Sequence, residues 1–182
     1  MGDTFTMEYN CDAYVRKPYP KVTVEAKNNY YADILLELYA GRASEMTAIS
    51  TYGYQTIELK DRDPRAATMI QCISITEMKH FEILGELIKL LGTDPKLLAP
   101  MQNGGRRARY YWWSGDYVNY SKEYPAIIDM NIAGEKQAIQ DYKRAISMIS
   151  DKNVVENLER IILDEEKHIE IFETMKRSSE MN

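Results

Sequence analysis

Proline and glycine are scarce, with 6 and 9 among 182 residues, which argues against a turn-rich β architecture and for long helices. Cysteine is scarcer still. Cys11 and Cys72 cannot build a zinc ribbon or a rubredoxin-type iron site, because both need paired Cys-x-x-Cys units. They read as reduced thiols in a cytoplasmic protein, with a single disulfide between them as the less favoured alternative. Net positive charge is missing: the formal charge is -5, so no global positive field draws in nucleic acid or an anionic membrane. No apolar run approaches membrane-spanning length, and the first residues lack the h-region of a secretion signal. Neither nucleic acid nor membrane is therefore expected as a partner. The opening Met1-Gly2-Asp3-Thr4-Phe5-Thr6 fits a loose lipidation pattern, one so short that coincidence explains it.

What is present is helical periodicity. The length suits one domain with a substantial core, and 28% charged with 45% hydrophobic residues is ordinary for a globular chain. Residues 1–27, with Pro18 and Pro20, show no sustained period and read as an irregular strap. Residues 28–178 read as a four-helix bundle, with 93–123 as a long crossover between its second and third helices and 179–182 as a tail. The first helix is expected from about Asn28 to Lys60, with Leu38, Glu45, Ala48, Ile49, Tyr52, Thr56 and Leu59 along one stripe. The second starts at Asp63-Pro64, a cap followed by a first-turn proline, and stops at Gly92. Its stripe is Met69, Ile73, Glu77, His80, Leu84, Leu87 and Leu91. The third starts near Tyr124-Pro125 and buries Ile128, Ile132, Glu135, Ala138, Ile139, Tyr142 and Ile149. The fourth, about Asp151 to Arg177, carries Val154, Leu158, Ile161, Glu165, His168, Phe172 and Met175. Steps alternating four and three mark the seam of a helix packed nearly parallel to its neighbours, and a long middle connection is what lets two antiparallel pairs form one bundle.

The two halves repeat each other at polar core positions. Glu45, Ala48, Ile49 and Tyr52 recur at the same offsets as Glu135, Ala138, Ile139 and Tyr142. Glu77-Met-Lys-His80-Phe-Glu82-Ile83 is matched by Glu165-Glu-Lys-His168-Ile-Glu170-Ile171. A Glu and a His three apart share one helix face, so both reach the same ion. One such pair alone is commonplace on a solvated face. Six residues in repeat order, including both histidines of the chain, are not. Four ionised carboxylates inside a bundle are very costly unless compensated, and two divalent cations compensate them. Carboxylate and imidazole donors without thiolate suit manganese or iron. The competing reading pairs these carboxylates with basic residues; Lys79, Lys136 and Lys167 fall off the stripes, and only Arg42 could reach inward. Tyr52 and Tyr142, two turns beyond Glu45 and Glu135, are either hydrogen-bond donors to ligand carboxylates (or an electron relay) or core aromatics with hydroxyls satisfied elsewhere.

On these motifs the chain resembles the ferritin-like di-metal carboxylate superfamily over about residues 28–177. The order Glu, Glu-x-x-His, Glu, Glu-x-x-His is similar to that of rubrerythrins, although Ala138 stands where their third helix carries a further Glu. Asn131-Ile132-Ala133-Gly134-Glu135, Tyr19-Pro20-Lys21-Val22 and Ser114-Gly115-Asp116 look like features of manganese catalases. The resemblance implies an all-α, ferritin-like fold with Glu45, Glu77, His80, Glu135 and His168 as metal ligands. Glu165 is implied either as a sixth ligand or as an acid–base group behind the metals. It further implies two metal ions per chain, hydrogen peroxide or dioxygen as substrate, and a homo-oligomer. Three functions fit: catalase-like disproportionation of peroxide, a peroxidase or oxidase fed by a separate reductase, and non-enzymatic metal storage or a structural role. The stretch Gly104–Trp113, rich in Arg and aromatic residues, is expected to pack or to form an oligomer contact rather than to bind nucleic acid.

Overall fold

The chain folds as an all-α bundle whose polar centre lies between two apolar clusters. The structure, a computed structural model, describes residues 11–101 and 110–180. The Met1–Thr6 pattern and the Gly104–Arg109 part of the Arg/aromatic stretch lie outside the described residues.

The expected first helix is two helices, α1 (Asn29–Ala40) and α2 (Glu45–Leu59). The break falls at Gly41-Arg42-Ala43-Ser44. A Cβ on Gly41 would meet the Glu37 carbonyl oxygen at 2.4 Å, so this turn is reserved for glycine. Ser44 restarts the helix as an N-cap, accepting from the Thr47 N–H. Leu38 and Glu45 are both buried on either side of the break, which explains why the stripe reads as continuous. The interruption makes Glu45 the first residue of α2, where the helix dipole favours a carboxylate.

The other boundaries follow local chemistry. Asp63 caps α3 (Pro64–Leu90) by accepting from Ala66 N–H at 3.0 Å, with Pro64 in the first turn. Gly92, at φ +103°, ends it in the left-handed region that suits glycine. Met69, expected in the α3 stripe, is 36% exposed; it lies on the rim beside the buried Ala66, Ile70 and Ile73. α4 spans Tyr124–Met148 and α5 Lys152–Glu180, so α5 runs past the expected end near Arg177. Asp151 caps α5, accepting from the N–H groups of Asn153 and Val154.

α2 packs on α3, and α4 on α5, as two pairs, with α1 packed against α3 and α4. The crossover is not bare loop. It forms a short antiparallel ribbon, β1 (Leu98–Pro100) with β2 (Tyr110–Trp112), then a 3₁₀ turn at Gly115–Tyr117. The Tyr110 hydroxyl donates to Asp33, the Tyr111 hydroxyl to Glu37, and the Trp113 indole to Thr47. These three aromatics thus pack onto α1 and α2, while Trp112 is 67% exposed.

One cluster of buried apolar side chains (Leu35, Leu36, Leu84, Leu87, Ile88, Leu158 and Ile161 among them) fills one end of the bundle. A second, with Leu59, Ile70, Ile73, Ile127, Ile128 and Phe172, fills the other. Residues 11–28 contain no helix or strand and run along α5 as a strap. Cys11 and Cys72, expected as free thiols, are joined in a disulfide with their Cα atoms 5.1 Å apart. The two half-cystines are 61 residues apart in sequence, and the strap brings them together. This removes the ground on which the cysteines suggested a cytoplasmic address. Among the described residues, no helix is long and apolar enough to cross a membrane.

Candidate metal centre

Between the apolar clusters, α2, α3, α4 and α5 each send glutamate inward. Glu45, Glu77, His80, Glu135, Glu165 and His168 are all between 0 and 4% exposed. They form two groups of four whose donor atoms lie within 4.8 Å of one another: Glu45, Glu77, His80 and Glu165, and Glu77, Glu135, Glu165 and His168. Glu77 and Glu165 belong to both. The histidines turn Nδ1 inward. His80 Nδ1 is 2.9 Å from Glu77 and 3.1 Å from Glu165; His168 Nδ1 is 3.0 Å from Glu77 and 3.1 Å from Glu165. Glu45 is 3.8 Å from the first imidazole and Glu135 3.7 Å from the second.

Both sequence-selected tyrosines touch this cluster crosswise. Tyr52 of α2 donates to Glu135 of α4, and Tyr142 of α4 donates to Glu45 of α2. Burial pushes both phenols well above their ordinary range, and the neighbouring carboxylates push further, so each stays a proton-bearing donor. Below Tyr52, Gln55 and Asn131 exchange two amide hydrogen bonds at 3.0 and 2.8 Å, tying α2 to α4 one turn from Glu135.

Charge balance is the test of what the cluster can hold. Burial raises Glu45 and Glu135 well above the usual carboxylate range, with Glu77 as a repelling neighbour. Glu77 and Glu165 are also pushed up by burial, but the two imidazoles outweigh it and hold both low. Burial would lower both histidines, yet the surrounding carboxylates raise them well above their ordinary value. Left to protons alone, the site needs four of them for neutrality, and these shifts place them as two carboxylic acids and two imidazolium rings. Two divalent cations supply the same four charges. Further, Oε1 of Glu77 lies 3.0 Å from His168 Nδ1 and Oε1 of Glu165 lies 3.1 Å from His80 Nδ1, so carboxylate and imidazole donors converge where a cation can take the place of the shared proton. The residues present fit a pair of hard or borderline dications.

Sequence reading missed the layer behind His80. Asp164, fully buried, accepts from His80 Nε2 at 3.2 Å, Tyr19 hydroxyl at 2.5 Å and Val15 N–H at 2.7 Å, and pairs with Arg160 at 2.8 Å. Burial would raise Asp164, but these donors outweigh it and hold it at about 2. Arg160 is 2% exposed, lies 4.2 Å over the Tyr19 ring, and donates to the carbonyls of Lys17 and Val15. Arg42, the cation expected to be able to reach inward, is instead exposed. The available signal was the i,i+4 spacing of Arg160, Asp164 and His168, which puts two opposite charges on the apolar face of α5.

The opposite side of the cluster is open. A cavity of about 260 Å³ between α2 and α4 is lined by Glu45, Glu77, Glu135 and Glu165, both tyrosines, and the small residues Ala48, Gly134 and Ala138. Arg42, Tyr117, Asn119 and Met130 also line it. The imidazoles do not; His80 faces Asp164 and the strap's Tyr19.

The rubrerythrin family pattern matches residues 38–176, which contain all six residues of the cluster. The chain belongs to the rubrerythrin family. Within the same ferritin-like di-metal superfamily it is 26% identical over 165 residues to a probable manganese catalase of Clostridium acetobutylicum, covering 84% of this chain and 72% of that one. It is 27% identical over 148 residues to a bacterioferritin of Desulfovibrio desulfuricans, covering 79% and 74%. Its fold is that of the manganese catalase KatB from Anabaena, with a TM-score of 0.76 at 23% identity over 91% of this chain and 79% of that one. The solved structure of the Desulfovibrio desulfuricans bacterioferritin, with its diiron site, matches with a TM-score of 0.62 at 25% identity, over 80% of this chain and 77% of that one.

Proposed function

We propose that the protein is a di-metal oxidoreductase that disproportionates hydrogen peroxide, with Glu45, Glu77, His80, Glu135, Glu165 and His168 holding two manganese or iron ions. The observation that carries this reading is the sharing of Glu77 and Glu165 by both ligand groups. Two carboxylates common to two sites hold a pair of ions together rather than two separate ones. The membership of Glu165 in both groups supports a ligand role for it over that of an acid–base group standing behind the metals.

Two such ions, when bound, supply a reversible two-electron store, so one peroxide is reduced to water and another oxidised to dioxygen without an outside donor. The protein's own part is access and position. The cavity brings substrate to the carboxylate side of the centre, and its volume restricts entry to small molecules. Ala138 and Ala48 leave open the space beside Glu45 and Glu135. Tyr52 and Tyr142 fix the orientation of those two carboxylates through crosswise hydrogen bonds, and their raised pKa keeps a proton on each oxygen. Asp164 and the strap close the imidazole side to water.

A second reading, peroxidase or oxidase activity fed by a separate reductase, is favoured by the match to the rubrerythrin family pattern. Metal analysis of protein purified without chelators, followed by oxygen-electrode measurement with peroxide alone, separates the two. About two manganese or iron ions per chain and oxygen evolution without reductant are expected. Peroxide consumption that requires an added electron donor would transfer the case to the second reading, and a metal-free or zinc-only protein without redox activity would defeat both.

A further inference from the structure

The repeat that builds the centre is broken behind the two histidines. His80 Nε2 meets Asp164, an ionised carboxylate held by Arg160, Tyr19 and the Val15 N–H. His168 Nε2 is fully buried and has no hydrogen-bond partner. The sequence says why. Asp164 immediately precedes Glu165, and the residue that immediately precedes Glu77 is Thr76. Thr76 is 6% exposed, and its hydroxyl turns back to the Cys72 carbonyl at 3.4 Å, as helical threonines do.

An imidazole that ligates through Nδ1 carries its proton on Nε2, and a carboxylate accepting that proton makes the ring a stronger donor and fixes its orientation. His80 has this support and His168 does not. The difference is confined to this layer, since Glu77 and Glu165 are common to both ligand groups and Glu45 and Glu135 each receive one tyrosine hydroxyl.

We propose that the two metal positions are inequivalent, the Glu45–His80 position binding its ion at least about tenfold more tightly than the Glu135–His168 position, because Asp164 supports only His80. The size follows the 10–100-fold loss of affinity usual when the partner behind a metal-bound histidine is removed. Asp164 is thus a positioning residue, acting through His80. The inference rests on the di-metal reading above and adds to it an order of loading: the first ion goes beside His80 and the last to leave is the same one.

The test uses the full chain, stripped of metal and crystallised with one equivalent of manganese(II), with occupancy at each position read from anomalous scattering. An occupancy ratio of about three to one or more in favour of Glu45–His80 is expected, the ratio that a tenfold difference in affinity gives when one equivalent is shared between two independent positions. Asp164→Asn should bring the ratio toward parity. Thr76→Asp, which puts a carboxylate at the repeat-equivalent place, should raise occupancy at Glu135–His168, and it carries the test alone if Asp164→Asn does not fold. Equal occupancy in the wild type, or a ratio unchanged by a folded variant, overturns the inference while leaving the di-metal reading standing. Neither manganese(II) nor iron(II) at either position, even with excess metal, would overturn the di-metal reading and this inference with it.

Discussion

The two sides of the buried centre are built on opposite terms. On the α2–α4 side the residues near the carboxylates are small or neutral, and a cavity reaches them. On the α3–α5 side both imidazoles are buried, and His80 is backed by a strap held through a buried arginine, a buried aspartate and a disulfide. Both sides face the same charged cluster, so the contrast cannot come from the cluster itself. The buried ion pair and the disulfide both lie on the side away from the cavity, the arrangement that a core admitting a small molecule on one side and excluding water on the other would need.

Breaking the closed side should therefore cost the most stability. Arg160→Met removes the guanidinium that pairs with Asp164 and binds two strap carbonyls. Unpairing a buried ion pair costs about 3–5 kcal/mol, and we expect an unfolding midpoint in urea lowered to match. A variant within about 1 kcal/mol of wild type would show that the strap is held by its apolar contacts alone. Cys11→Ser is next. Opening a loop closed across 61 residues costs about 4 kcal/mol in the chain-entropy account, and typically 2–4 kcal/mol in practice. It should appear as the same loss when the oxidised wild type is treated with reductant, and reduced wild type and Cys11→Ser should then coincide.

Much of this was legible in sequence, and the failures have a common cause. The four helices that carry the cluster, the cap at Asp63 and the stop at Gly92 follow from period and local chemistry, as does the convergence of six polar side chains on one seam. The kink at Gly41 escaped because Leu38 and Glu45 keep the stripe in step across it. Asp164 and Arg160 escaped because their partners, Tyr19 and the carbonyls of Val15 and Lys17, lie more than 140 residues away in the chain. Periodicity registers which face is buried but not which distant backbone group satisfies a buried charge. The Cys11–Cys72 bond was missed for the same reason: composition suggested free thiols, and only the path of the strap brings the two together.

The open side should be sensitive in rate rather than in stability. Ala138→Leu puts a branched side chain into the cavity beside Tyr142 and Glu45. A drop of roughly tenfold in kcat/KM for peroxide, equivalent to about 1.4 kcal/mol, is expected with two metals per chain retained. Unchanged kinetics would mean that substrate enters elsewhere, and loss of metal would mean that α4 itself had shifted.

The smallest effect concerns the crossover that flanks the open side. Tyr111 of β2 donates to Glu37 of α1 and its ring meets Tyr117 edge-on at 6.4 Å; Tyr117 lines the cavity. Burial, with the Glu37 carboxylate beside it, raises the Tyr111 phenol to about 12. Because the folded value lies above the ordinary one of 10.0, the unfolded chain loses this proton first as pH rises. The contribution to stability is thus complete below about pH 10 and is lost as pH rises through about 12. Tyr111 is only partly buried, so solvent screening brings the effect down to about 1 kcal/mol or less. Urea unfolding at pH 9 and pH 11.5 should show this added alkaline loss in the wild type and a correspondingly smaller one in Tyr111→Phe. Identical losses in the two proteins would mean that the ribbon is held to α1 by packing of Ala99 and Leu98, independent of the phenol's proton.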